Sequence, residues 1–221
     1  MTYRDSSTHR IKFDEHDVGA LFKPADDQSM LIVFGHGAGA GMHHSTLEEI
    51  TEAFAAIGIA SLRYNFPYME ARKNRVDAQA VSTKTVKAAY EFAKSNYDLP
   101  ILLGGHSFGG RMASHAVVEH SLDVAGLIFC SFPLHNPKKP SLDRASHMDQ
   151  ITCPMLFLSG SRDGMAERRH MNKLAHQLEA TLKWLDTADH GYKVLKRTRK
   201  RKDDVFHEMA MHAKRFIQTL T

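Results

Sequence analysis

Short runs of aliphatic and β-branched residues recur along the chain, separated by longer segments in which apolar residues repeat every three to four positions. That alternation limits the possible folds more than any single motif does. A strand that is apolar on both faces must be covered on both, and helices between successive strands supply the cover. The pattern therefore specifies an α/β fold built on a mostly parallel sheet of about eight strands with helices on both faces. Strands are expected at 10–13, 18–22, 30–34, 59–64, 101–104, 124–130, 155–159 and 181–185, the first two as an antiparallel hairpin at one edge. Helices are expected at 46–57, 76–97, 108–119, 166–178 and 203–219. In the first of these, Leu47, Ile50, Phe54 and Ile57 form one face, Ser45 or Thr46 is placed to cap the start, and Gly58 to end it. Segment 131–150, with Pro133, Pro137 and Pro140, fits neither period and reads as a short cap-like excursion with room for one short helix. No repeat or linker divides the 221 residues, so 1–221 reads as a single domain.

Hydrophobic residues make up 43% and charged residues 24%, which is globular composition and excludes a disordered or fibrous chain. No apolar run approaches the roughly 18 residues that span a bilayer, and 1–17 lacks the apolar core of a secretory signal. A cytoplasmic protein with no membrane partner is expected. Cys130 and Cys153 each sit in an apolar segment without metal-ligand spacing and read as reduced core residues. Of the 29 Lys and Arg, seven fall in 191–202 with no acid among them, which leaves the rest of the chain net acidic. From Lys193 to Lys202 no aromatic residue is interleaved to stack a base, so nucleic acid is not expected as a partner. It reads as a solvated mobile loop, with steering of anionic acyl substrates toward a nearby site as the functional alternative. No protein partner is assigned.

The most specific chemical signal is Gly105-His106-Ser107-Phe108-Gly109, preceded by Ile101-Leu102-Leu103 and followed by a helical pattern. This is G-x-S-x-G where a strand turns sharply into a helix, the context in which a strained turn projects the serine hydroxyl. Serine alone is a poor nucleophile at neutral pH, so a base and an orienting acid must follow. Asp163 lies in the loop after the strand at 155–159, and His190 in the loop after the strand at 181–185. Both loops open on the sheet edge that carries Ser107. Asp189 competes as the acid, but a sequence neighbour reaches back poorly to orient its successor's ring. After the strand at 30–34 comes Gly35-His36-Gly37-Ala38-Gly39-Ala40-Gly41. An acyl-transfer site needs two amides for the developing oxyanion, and those of Ala38 and Phe108 are expected to serve.

Two other motifs compete for attention. Gly35, Gly37 and Ala40 match G-x-G-x-x-A, which offers an NADP-binding oxidoreductase as an alternative. Against it, the next helix starts near Thr46, and the following strand ends in Arg63-Tyr64-Asn65 with no ribose-binding acid. His207 and His212 stand five positions apart, which turns their rings roughly 140° from each other around a helix, so they cannot share a metal. His43 and His44 lack a third ligand at metal spacing. No metal and no cofactor are expected.

Several segments together, GHGAGAGM at 35–42, LRYNFP at 62–67, GHSFGGR at 105–111, FPLHNPK at 132–138 and SGSRD at 159–163, resemble the α/β-hydrolase superfamily. Within it the chain is most similar to the small dienelactone-hydrolase-like branch and, more narrowly, to the testis-expressed hydrolase-like group. The resemblance runs from about residue 30 to the C-terminus. It departs from dienelactone hydrolase itself in having Ser107 where that enzyme has a cysteine. What the residues and the resemblance together imply is a serine esterase or thioesterase acting on small acyl groups through an acyl-enzyme. Ser107 would be the nucleophile, His190 the base and Asp163 its orienter. Only about two dozen residues separate Cys130 from Met155, too few for a multi-helix lid, so short acyl chains and an open site are expected, with Met69, Phe132 and His135 as wall residues. The narrower resemblance also implies a second class, a non-catalytic interaction module that keeps the fold.

Overall fold

Successive residues of a strand face opposite sides of a sheet, so an apolar run is shared between two layers. The computed structural model describes residues 6–220, so the outer ends of the expected 1–221 domain lie outside the described residues. Its strands are β1 (Ser7–Phe13), β2 (His16–Lys23), β3 (Met30–Gly35), β4 (Ile59–Tyr64), β5 (Ile101–His106), β6 (Gly126–Cys130), β7 (Met155–Gly160) and β8 (Thr181–Leu185). The helices are α1 (Ser45–Ala55), α2 (Pro67–Glu70), α3 (Gln79–Asn96), α4 (Phe108–His120), α5 (Arg168–Gln177) and α6 (Val205–Ile217). All eight strands form one sheet in the order β1-β2-β4-β3-β5-β6-β7-β8. The β1–β2 and β2–β4 pairs are antiparallel and the other five parallel.

The alternation sorts the core into two layers. Leu31, Val33, Leu103, Leu127, Phe129, Met155 and Phe157 face a cluster closed by Val86, Ala89 and Tyr90 of α3 and Met112, Ala113 and Ala116 of α4. Ile32, Phe34, Leu102, Ile128, Leu156 and Leu158 face the other way, onto Leu47, Ile50 and Phe54 of α1 and Met209, Ala213 and Phe216 of α6. The chain leaves β3 toward β4 on one side, and returns to pair β5 on the other. That reversal opens a crevice at the carboxyl ends of β3 and β5, where ligands bind in open α/β sheets.

Several boundaries differ from the sequence reading for local reasons. The edge hairpin is longer than its apolar core, with pairing running from Ser7↔Phe22 to Phe13↔His16, because a solvated outer face needs no apolar residues. The α1 cap is His44, whose Nδ1 accepts from the Thr46 amide at 3.2 Å, and neither Ser45 nor Thr46. The four-residue α2 is too short to leave a period in the sequence. Asp77 accepts from the Tyr68 amide at 2.9 Å and so holds the start of α2, and α3 begins only at Gln79. Segment 131–150 carries two 3-10 turns, Asp143–Ala145 and Met148–Gln150, where one helix is expected. Its Phe132, Leu134, Ala145 and Met148 are buried in the layer that holds α3 and α4. Among the described residues, no helix is long and apolar enough to cross a membrane. Cys130 and Cys153 are free thiols.

Candidate active site

The turn from β5 into α4 works only with glycine on either side. A Cβ on Gly105 would sit 2.5 Å from the Gly35 carbonyl oxygen, and one on Gly109 would sit 2.2 Å from it. These approaches let β3, β5 and α4 converge on Ser107, whose φ of 51° and ψ of −113° lie where L-residues are strained. Such strain costs about 1–3 kcal/mol and survives only where the surroundings enforce it. The 13-residue α4 starts at the next residue, so its unpaired first-turn amides and positive dipole end face the Ser107 hydroxyl.

Ser107 Oγ lies 2.9 Å from His190 Nε2, and His190 Nδ1 lies 2.8 Å from Asp163 Oδ2. A carboxylate only accepts, so Nδ1 carries the hydrogen and Nε2 is left bare to accept from the serine hydroxyl. The Asp163 side chain is fully buried while His190 is partly open to solvent. The second Asp163 oxygen, Oδ1, accepts from the Met165 amide at 2.8 Å, which fixes the carboxylate plane. Asp189 is committed elsewhere, accepting from the Gly191 and Lys193 amides at 3.0 and 2.9 Å. The structure thus brings together three residues that stand 83 and 27 positions apart in the chain. Such a chain can take the serine proton as the oxygen attacks and keep the resulting imidazolium beside a carboxylate.

Three aromatic residues without a sequence-assigned role brace this arrangement. His106 donates from Nε2 to the His190 carbonyl at 2.9 Å, tying the strand before Ser107 to the loop that carries the imidazole. His36 is fully buried; its Nδ1 donates to the Gly37 carbonyl at 2.8 Å and its Nε2 accepts from the Phe66 amide at 3.1 Å. Burial lowers the pKa of both His36 and His106 to about 4, so both are neutral at pH 7. Tyr68 donates to the Ala38 carbonyl at 2.9 Å, and burial raises its own pKa. With the 37 and 38 carbonyls drawn inward, the exposed Ala38 amide has no acceptor among the described residues. His36 and His106 lie inside motifs visible in the sequence and Tyr68 just after one, but only the fold shows which atoms they reach.

The expected wall residues divide. Met69 is half-buried beside this loop, its methyl 3.4 Å from where a Gly41 Cβ would be. Phe132 is fully buried against Phe129 and Phe157, so it is a core residue and no wall. His135, at 3% exposed, is buried as well. Its Nε2 accepts from the Glu167 amide at 2.9 Å and its Nδ1 donates to the Asn136 carbonyl, so it anchors the loop that carries Asp163. The glycines at 35–41 do not open a helix, because α1 starts only at Ser45 and a turn from Gly37 to Ala40 intervenes. That leaves no helix terminus for a pyrophosphate in the G-x-G-x-x-A stretch.

The basic run is not a mobile loop throughout. The Arg199 side chain is 4% exposed and pairs with buried Glu208 at 2.6 Å, while its Nη1 donates to the Asp186 carbonyl. Arg201 pairs with Asp203 and approaches Glu208 at 3.5 Å. Two of the seven cations therefore hold the loop against α6.

The sequence model of the alpha/beta hydrolase domain family matches residues 28–218. Among solved structures, Est1E from Butyrivibrio proteoclasticus superposes with a TM-score of 0.75 at 16% identity, over 96% of this chain and 98% of that one. A dienelactone hydrolase from Anabaena variabilis superposes at 0.76 and 16% identity, covering 97% of each chain. XC6422 from Xanthomonas campestris, described as an α/β serine hydrolase without a lid, superposes at 0.68 and 15% identity, over 98% of this chain and 94% of that one.

Proposed function

The chain belongs to the alpha/beta hydrolase domain family, and from that premise we propose that it is a serine hydrolase of carboxylic esters or thioesters with small acyl groups. The observation that carries the reading is the relay of 2.9 and 2.8 Å from Ser107 through His190 to Asp163. In the reaction, Ser107 Oγ attacks the acyl carbon as its proton passes to His190 Nε2, and the amides of Ala38 and Phe108 take the oxyanion. Asp163 holds the Nδ1–H and stabilises the imidazolium. Collapse of the tetrahedral species releases the alcohol or thiol with the proton from His190. Water then attacks the acyl-enzyme by the same route, restoring Ser107 and freeing the acid.

The Ala38 assignment is supported by Tyr68 and His36, which draw the 37 and 38 carbonyls onto their own side chains, and the Phe108 assignment by its place as the first residue of α4, directly after Ser107. The small-acyl preference is supported by segment 131–150, whose apolar residues pack into the core and leave none to line a lid. The single sheet supports reading the chain as one domain. A fluorophosphonate probe should label wild-type protein at Ser107 and leave Ser107→Ala unlabelled, and the variant should lose turnover of p-nitrophenyl acetate while staying folded. A folded wild type that resists the probe would instead fit the interaction-module class, whose members keep this fold.

A further inference from the structure

Outside the proposed site, the most unusual surface is the segment between His190 and α6. Tyr192 is buried and donates to the Leu158 carbonyl, Val194 packs on the core, and Arg199 is locked in its pair with Glu208. Between these anchors the chain makes one turn, with the amides of Thr198 and Arg199 both donating to the Leu195 carbonyl at 3.0 Å. Leu195, Lys196, Arg197 and Thr198 are thereby held out in solvent. Leu195 is 46% exposed, and among the described residues it is the one large apolar side chain in that state. Lys193, Lys196, Arg197, Lys200 and Lys202 are all exposed, and none has an ion-pair partner among the described residues.

We propose that this turn is a docking surface for an anionic phospholipid bilayer. The charge complementarity is direct, since clustered Lys and Arg bind acidic headgroups additively, and five unpaired cations within ten residues are such a cluster. The exposed leucine distinguishes a bilayer from a soluble polyanion. A ring of cations satisfies either, but only a bilayer offers an apolar layer just beneath the phosphates for a side chain at the tip. Nucleic acid would reward an aromatic platform, and 193–202 contains no aromatic residue. The proposal revises the sequence-based expectation of no membrane partner, which considered spanning segments only; surface contact needs none. Because Lys193 lies three residues after His190, at most roughly 10 Å of chain away, docking would bring the Ser107 site to the bilayer surface.

Flotation with phosphatidylcholine vesicles, with and without about one-third phosphatidylserine, in about 0.1 M salt, tests this without reference to hydrolysis. Wild-type protein should float with the anionic vesicles and not with the neutral ones. Leu195→Ser should weaken partitioning roughly tenfold, and Lys196→Gln, Arg197→Gln and Lys200→Gln together on the order of a hundredfold. Equal behaviour on both vesicle types would overturn the proposal. So would an oligouridylate that strips the protein from vesicles while Leu195→Ser partitions like wild type, which would assign the surface to nucleic acid.

Discussion

Acid should destabilise this protein through His36, which is buried, and His106, which is half-buried. His36 uses both ring nitrogens as a neutral group, with Nδ1–H donating to Gly37 and bare Nε2 accepting from the Phe66 amide. A proton on Nε2 would set two donors against each other in a fully buried site. His106 likewise spends its one hydrogen on the His190 carbonyl. Burial lowers both pKa values from 6.5 to about 4. At these two positions the unfolded chain binds protons below pH 6.5 that the folded chain refuses until about pH 4, and His147, lowered to about 4 by burial as well, adds to the difference; this contribution to stability is full above 6.5 and falls as pH drops through that window. Between pH 7.5 and 5.0 each histidine should cost about 2 kcal/mol, or about 4 kcal/mol together, a large share of the roughly 5–15 kcal/mol that holds a domain folded. Urea unfolding at the two pH values measures the loss directly. His36→Gln, though weaker at pH 7.5, should show a loss smaller by about 2 kcal/mol because its position no longer titrates. Equal wild-type stability at both pH values, or an unchanged loss in His36→Gln, would refute the reasoning.

Three further outcomes follow from specific contacts. His106→Ala removes the bond to the His190 carbonyl and should lower kcat about tenfold with little change in KM, the size of one lost hydrogen bond at the transition state; an unchanged kcat would leave His106 as packing only. Tyr68→Phe frees the Ala38 carbonyl and should lower kcat for p-nitrophenyl acetate by a similar factor, whereas an effect confined to KM would argue against a role in the oxyanion amides. Glu208→Gln leaves Arg199 buried beside a neutral group and should cost about 3–5 kcal/mol in urea unfolding; a loss under about 1 kcal/mol would mean that the pair is solvated and the 193–202 segment loosely held.

The alternation of apolar runs and helical periods was sufficient to specify the layered sheet, because each strand's two faces must both be covered whatever the loops do. The residues at the centre were legible for a similar reason. Ser107, Asp163 and His190 follow strands that the pattern located, and in a parallel sheet those loops share an edge. What the sequence could not determine were the contacts that depend on separations across that edge. Phe132 and His135 looked like pocket residues beside a proline-rich excursion, and the fold buried both, because the excursion satisfies its apolar residues against the sheet. Arg199 looked like one cation among seven until the packing of α6 placed Glu208 against it. Ring nitrogens of His36 and His106 find their partners 30 and 84 positions away. Periodicity reports which way a side chain faces relative to its own strand or helix; which atom it meets there is decided only when the layers close.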